Sequence, residues 1–347
     1  MRIIKKPEVG TKDIIRIRTI SILCALVTSG LFILILNNNP FEVFAGMVDG
    51  AFGTPHRIRS TLIKAIPLVI TSLGISIAFR MKFWNIGGEG QILMGAYAAT
   101  LFYRQFPDLG RPVMLMAMFV AAMIGGGLWA LIPAFFRAKW RTNETIVTLM
   151  MNYVALIWIT YLQYSAWKDP AAMGFPKIEP YGLNAQLPRL LGIHIGWVIA
   201  LGLIVIMYFF MNHSKKGYEI AVLGESENTA LYAGINVPKT IMTAVFLSGA
   251  LCGLTGFVQA TGVSGSLSVN LTMGVGFTAI ITSWLSNLRV PVILIVSILF
   301  AALVQGASYI QVAFGIPAAA STILQSLILF FVLGSEFFLR YQFSFKK

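Results

Sequence analysis

The stretch Asn85-Ile86-Gly87-Gly88-Glu89-Gly90-Gln91 sets one carboxylate and two amides among three glycines, at the head of an apolar run. A carboxylate there can carry a proton, and the amides can hydrogen-bond a neutral solute. After Glu89 only the 14 residues Gly90 to Tyr103 remain before Arg104. At 1.5 Å per residue they fall short of a hydrocarbon layer of about 30 Å. Part of the segment is therefore expected at membrane depth as irregular backbone or a broken helix, which survives only against protein or a water-filled cavity. Ionisable residues at that depth are candidates for function. Glu89 as an interfacial residue at the positive end of a helix is the other reading, and both stay open.

A second group is Arg141-Thr142-Asn143-Glu144, leading into the apolar run Thr145 to Tyr164. Thr142 or Asn143 suits a helix cap, and Glu144 complements the helix start. Two turns on, Asn152 either faces a solute path or bonds to a neighbouring helix. Gln259, Gln305, Tyr309 and Gln325 are read by default as interhelical hydrogen-bonding groups.

Other chemistries lack their parts. Gly262-Val263-Ser264-Gly265 offers a serine nucleophile, but His56, His194 and His213 lie outside the apolar runs and none follows Ser264, so no general base is at hand. Cys24 and Cys252 form no metal-binding spacing and read as small buried hydrophobes. No Gly-x-x-x-x-Gly-Lys-Ser/Thr pattern occurs, so the chain has no recognisable P-loop. Neither a catalytic residue, a metal site nor a bound cofactor is expected.

The elements that must position these groups follow from composition. Hydrophobic residues are 57% of the 347 and charged residues 11%, against roughly 25% charged in a soluble domain. That points to an all-α integral membrane protein of about ten spans, with 1–347 as a single transmembrane domain. They are expected near 20–36, 62–79, 87–103, 113–136, 144–165, 196–212, 241–262, 271–287, 290–309 and 318–339. The basic start followed by Ile20 to Leu36 superficially resembles a secretory signal, but with more spans behind it the run reads as a retained first helix.

Orientation follows from Lys and Arg. With the N-terminus inside, 18 of the 26 fall on the inner side: Arg2, Lys5, Lys6, Lys12, Arg16, Arg18, Arg80, Lys82, Arg137, Lys139, Arg141, Lys215, Lys216, Lys239, Arg289, Arg340, Lys346 and Lys347. Both termini are then cytoplasmic. The net charge of +13 is a consequence of topology, not a sign of nucleic-acid binding. The segment 165–195, with four prolines, becomes an extracytoplasmic loop, and 213–240 becomes a cytoplasmic one.

The cytoplasmic loop carries Gly224-Glu225-Ser226-Glu227-Asn228-Thr229-Ala230-Leu231-Tyr232-Ala233-Gly234. Ser226 can cap a short helix running through Tyr232, Glu225 and Glu227 suit its positive end, and Gly234 fits its C-terminal cap. A lipid-facing interfacial helix usually carries Lys and Arg on its polar face. This one is acidic, which favours docking to a protein.

The runs NIGGEGQILMGAYAA, TNETIVTLMMNYVA and GYEIAVLGESENTALYAGINVPKT, in that order and spacing, resemble the permease subunits of bacterial nucleoside and simple-sugar ATP-binding-cassette importers, from about Ile58 to Leu339. The Gly-Gly-Glu-Gly-Gln and Asn-Glu runs look closest to the nucleoside branch. The resemblance implies a type II importer-like bundle in the bacterial inner membrane and alternating access between two permeases, which form a homo- or heterodimer. It also implies cassette ATPases that hold ATP-Mg and a binding protein or lipoprotein that delivers substrate. By that likeness Glu225, Ser226, Glu227, Asn228, Thr229, Ala230, Tyr232 and Gly234 belong to the ATPase-coupling helix, and Asn85, Glu89, Gln91 and Asn152 lie near the translocation path. Spans two to five and seven to ten would be related as inverted repeats. A nucleoside is the favoured substrate, with a simple sugar, a branched amino acid, or proton-coupled secondary transport through Glu89 as alternatives.

Overall fold

A computed structural model describes residues 2–5 and 10–344. Lys6, Lys346 and Lys347 of the inner basic set lie outside the described residues. In chain order the helices are α1 (Thr11–Ile35), α2 (Pro40–Phe52), α3 (Pro55–Arg80), α4 (Gly88–Gln105), α5 (Arg111–Trp140), α6 (Glu144–Tyr161), α7 (Gly196–His213), α8 (Lys215–Glu225), α9 (Glu227–Tyr232), α10 (Val237–Gln259), α11 (Val275–Leu285), α12 (Val290–Ala313) and α13 (Ala318–Arg340). The short strands are β1 (Arg2–Lys5), β2 (Arg189–Leu190), β3 (Ile193–His194) and β4 (Tyr341–Ser344), with β1 paired to β4 and β2 to β3, both antiparallel.

Among the described residues, eight helices are long and apolar enough to cross a bilayer: α1, α3, α5, α6, α7, α10, α12 and α13, with α6 and α10 extended by π-helical turns at Leu162–Ala166 and Ala260–Ser264. Two expected spans differ. Within the expected 271–287 the regular helix α11 is only 11 residues, because Gly274 takes a positive φ and starts it late. The expected 87–103 becomes α4, 18 residues that reach past Arg104. Its guanidinium sits 5.1 Å over the Trp167 ring, a cation–π contact that lets the helix continue through a charge. The sequence reading also missed α2, whose start is fixed by Asn39 accepting from the Phe41 N–H and by Pro40 at the first helical position.

The chain forms two compact units, residues 1–64 with 298–347, and residues 65–297. In the first, α1 runs against α13, and Ile33, Val43, Met47, Ile310 and Leu324 make its core. Several polar groups of this unit are paired: Arg57 binds Asp49 and lies 4.3 Å over the Tyr309 ring, and Lys64 donates to Ser308 at 2.9 Å.

The second unit is built on α4, α5 and α10, which pack through small residues. A Cβ on Gly95 of α4 would overlap the backbone of Gly253 in α10, and a Cβ on Gly253 would in turn overlap the Ala122 carbonyl and Gly126 of α5. With lipid as solvent, this van der Waals approach replaces the hydrophobic drive that assembles soluble cores. Threonine and serine hydroxyls add bonds across helices, including Thr71 to Thr255 at 2.9 Å and Ser283 to the Ser72 carbonyl at 3.0 Å.

The 30-residue α5 separates the two ends of this unit. At its start Arg111 donates to the Gln186 carbonyl at 2.9 Å, within the Pro-rich segment 165–195. That segment is tied down by Tyr181, whose N–H meets the Gly265 carbonyl and whose hydroxyl meets Thr100 at 2.7 Å. Burial pushes the Tyr181 phenol above its ordinary pKa. At the far end of α5, Arg141 reaches α9.

Candidate functional site

The four path candidates come together in the second unit as one hydrogen-bonded frame. After α3 the chain turns at Lys82, whose φ of 59° is left-handed, and runs irregularly to Gly87 before α4 begins. Irregular backbone leaves peptide groups without helical partners, and side chains supply them. Asn85 and Gln91 pair their amides reciprocally at 3.1 and 2.9 Å. Asn85 also accepts from the Gly87 N–H and donates to Ser248 of α10, each at 3.1 Å.

Helix α6 closes the other side. Asn152 accepts from the Gly90 N–H at 2.8 Å and donates to the Ile86 carbonyl at 2.9 Å. Thr148 accepts from the Ile86 N–H at 3.2 Å, and Glu144 from the Trp84 N–H at 3.4 Å. The start of α6 is capped by Asn143, which accepts from the Thr145 N–H at 3.0 Å. Glu144 is buried and pairs with Arg137 at 3.5 Å, so it holds the loop before α4 besides complementing its own helix.

Glu89 makes the longest-range contact of the set. Its Oε1 accepts from the Gly276 N–H at 2.7 Å and from Phe277 at 3.4 Å, so it caps α11 from the first turn of α4. Thr272 adds a side-chain bond. Gly88 and Gly276 approach closely enough that a Cβ on Gly276 would strike the Glu89 N–H. The carboxylate thus lies between the positive ends of α4 and α11, which suits its charge. Asn85, Glu89, Gln91 and Asn152 are all buried, at 0 to 8% exposure. Residues such as Gly276, Thr148 and Ser248 carry no sequence signal that distinguishes them from ordinary span residues.

The coupling-helix candidates form a second group around α8 and α9. Ser226 ends α8 and caps α9, accepting from the Thr229 N–H at 3.3 Å as its sequence position suggests. Gly234 has φ +71° just past the C-terminus of α9, and the Ile235 N–H returns to the Ala230 carbonyl. Glu225 differs from expectation: it closes α8 instead of sitting at the start of α9, and its carbonyl accepts from Lys82 at 3.4 Å. Glu227 pairs with Arg141 at 3.3 Å. Ala230 is buried beneath the helix, while Tyr232 is 93% and Leu231 55% exposed.

Helix α8 fixes this group to α10. Lys216 bonds to Glu219, Thr240 donates to the same carboxylate oxygen at 3.3 Å, and together they hold the Glu219 carboxyl below its ordinary pKa. Gly224 lies against the Arg80 carbonyl, with no room for a Cβ. Behind α9 is a cavity of about 380 Å³ lined by Lys82, Arg137, Arg141, Glu227 and apolar residues including Leu231.

The family model described as branched-chain amino acid transport system / permease component matches residues 57–333. The chain is 31% identical over 336 residues to the glucose ABC transporter permease protein TsgB13 of Haloferax volcanii, covering 93% of this chain and 88% of that one. It is 30% identical over 327 residues to the guanosine ABC transporter permease protein NupP of Bacillus subtilis, covering 91% and 92%. It also matches the guanosine ABC transporter permease protein NupQ of the same organism, 30% identical over 64% of this chain and 72% of NupQ.

Proposed function

The chain belongs to the permease family of branched-chain amino acid transport systems, and from that premise we propose that it is a nucleoside-moving permease subunit of an ATP-binding-cassette importer. The observation that carries the substrate class is the likeness to two guanosine permeases, NupP along nearly its whole length and NupQ along most of it. That two such permeases share one name also supports a second permease subunit beside this one. A simple sugar is the second reading, favoured by the equally long match to TsgB13.

In this reading α3 to α6 and α10 to α13 are inverted repeats, and α4 and α11 are their equivalent members. Short or interrupted helices at corresponding positions of two halves point to the solute site of a transporter. With α4 and α11 as partial crossings beside the eight full ones, the bundle has ten spans and both termini in the cytoplasm, 1–347 acts as one permease domain, and 165–195 faces outward. Asn85, Glu89, Gln91 and Asn152 hold the interrupted backbone beside the path. Because Asn85 and Gln91 are engaged with each other, Asn152 with the backbone of Ile86 and Gly90, and Glu89 with the start of α11, they shape the path wall and do not themselves grip the solute.

Energy comes from outside the chain. The loop 213–240 lies on the cytoplasmic side, and α9 presents Tyr232, Leu231 and its acidic residues to a cassette ATPase that holds ATP-Mg. ATP binding draws two ATPases together, α9 carries the displacement into the spans, and the path opens alternately to each side of the bacterial inner membrane. A binding protein or lipoprotein delivers the solute. The test is uptake of labelled guanosine into proteoliposomes holding the full assembly, with glucose as competitor. Guanosine uptake that needs ATP, and that glucose leaves unchanged, is expected. Uptake driven by a proton gradient without ATP would replace this mechanism by secondary transport through Glu89.

A further inference from the structure

A second cavity in the 65–297 unit takes no part in the frame or in α9. It encloses about 520 Å³ where α3 and α7 end and α12 begins, and its lining includes Arg80, Tyr208, Asn212, Asn287, Arg289 and Pro291. Two arginines and two asparagines line one space, and no carboxylate lines it. Several other arginines have partners: Arg57 has Asp49, Arg111 the Gln186 carbonyl, Arg137 has Glu144, and Arg141 has Glu227. Neither Arg80 nor Arg289 has a side-chain hydrogen bond or ion pair among the described residues.

The backbone shapes the cavity rim. Asn287 and Leu288 both take left-handed φ, at 49° and 57°, so the turn between α11 and α12 folds tightly and carries Asn287 and Arg289 to the opening. Arg80 is the last residue of α3 and is held in place from behind by the close contact of its carbonyl with Gly224. A cation at a helix C-terminus is favoured by the helix dipole, which accounts for one arginine at one end. It does not account for two like charges lining one space that no carboxylate lines.

We propose that this cavity binds a phosphate group of an anionic lipid headgroup, with Arg80 and Arg289 as its cationic clamp and Asn212 and Asn287 as neutral donors. Guanidinium donors match phosphate oxygens two at a time. The cavity lies at the ends of three spans, where headgroups stand, and Tyr208, Leu288 and Pro291 give it an apolar margin toward the acyl region. Basic pockets between spans at the cytoplasmic face are the ordinary place for such recognition. A soluble phosphate ester shares the chemistry, and the assay below separates the two sources.

The test uses the full-length protein in neutral detergent, titrated with short-chain phosphatidylglycerol, with phosphatidylcholine of equal chain length, and with inorganic phosphate, while thermal unfolding is followed. Phosphatidylglycerol is expected to stabilise at concentrations at least about tenfold below those phosphatidylcholine needs, given two cations near the headgroup. Arg80→Gln with Arg289→Gln should abolish that preference, and Arg→Lys at both should restore part of it. Stabilisation by inorganic phosphate that matches phosphatidylglycerol would keep the phosphate site and assign it to soluble esters. Equal responses to the two lipids in the unaltered protein, or a preference that survives both glutamines, would overturn the proposal. Should the glutamine variants not fold, mass spectrometry of the unaltered protein decides: retention of phosphatidylglycerol no greater than of phosphatidylcholine would overturn it as well.

Discussion

The frame around Asn85 and the surface of α9 treat polar and apolar groups in opposite ways. In the frame Asn85 and Gln91 bond to each other, Asn152 to loose backbone and Glu89 to the start of α11, and all four are buried. On α9 the single cap Ser226 and the ion pair of Glu227 hold a six-residue helix whose largest side chain, Tyr232, is almost fully exposed. A helix that short is marginal alone in water, and an exposed aromatic beside acidic groups fits burial against a second protein. The frame's bonds close within one chain, so its neutral members should fail by losing stability, while Glu89, whose charge faces the start of α11, should fail by losing transport. Under the proposed coupling role, the α9 surface is covered by a partner and should fail by losing coupling.

The sharpest break of this contrast is Glu225→Lys with Glu227→Lys. The Glu227 pair is half exposed, so losing it costs under about 1 kcal/mol of stability, and yield and unfolding temperature should barely move. Uptake should fall at least about tenfold, the loss expected when charges at an interface are reversed, while ATP hydrolysis by the assembly continues. Normal ATP-coupled uptake in proteoliposomes would erase the distinction between the two regions.

Asn152→Ala should do the reverse. It strands the Gly90 N–H and the Ile86 carbonyl in a buried setting, a cost of about 2 kcal/mol. A lower unfolding temperature with an unchanged ratio of uptake to hydrolysis in the surviving protein is expected. Glu89→Gln keeps the shape but removes the charge that faces the start of α11, about 1 kcal/mol. Uptake should drop severalfold with little loss of assembled protein, and unaltered uptake kinetics would reduce Glu89 to a cap.

The smallest effect concerns pH at the base of α9. Glu219 has its carboxyl held low by Lys216 and Thr240, so its contribution is present above the ordinary carboxylate value and is lost as pH falls through and below it. Hydrogen exchange in α8 should quicken below about pH 4, and Glu219→Gln should remove that dependence. Exchange in the frame should not follow it.

Much of this was legible in the chain itself, for reasons that differ by residue. The short apolar run between Glu89 and Arg104 pointed to irregular backbone before a short helix, because helix rise is a fixed quantity, and the chain does run irregularly to Gly87 before the 18-residue α4. Ser226, Asn143 and Gly234 declared their caps because capping is local. What stayed hidden was tertiary. Nothing near Gly276 announces that a carboxylate 187 positions earlier will cap its helix, and nothing near Glu227 names Arg141. The 13-residue α2 is too short to stand out as a spanning run, and α11 is shorter than its apolar run because a left-handed glycine sets its start.

The claim that this permease meets its energy source through α9 is tested most directly by one labelled position. Tyr232→Cys, with Cys24 and Cys252 replaced, should react with a membrane-impermeant maleimide only in inverted vesicles, and should lose that reactivity when the cassette ATPase is bound. Labelling from the outer side of intact cells, or labelling unchanged by the ATPase, would contradict it.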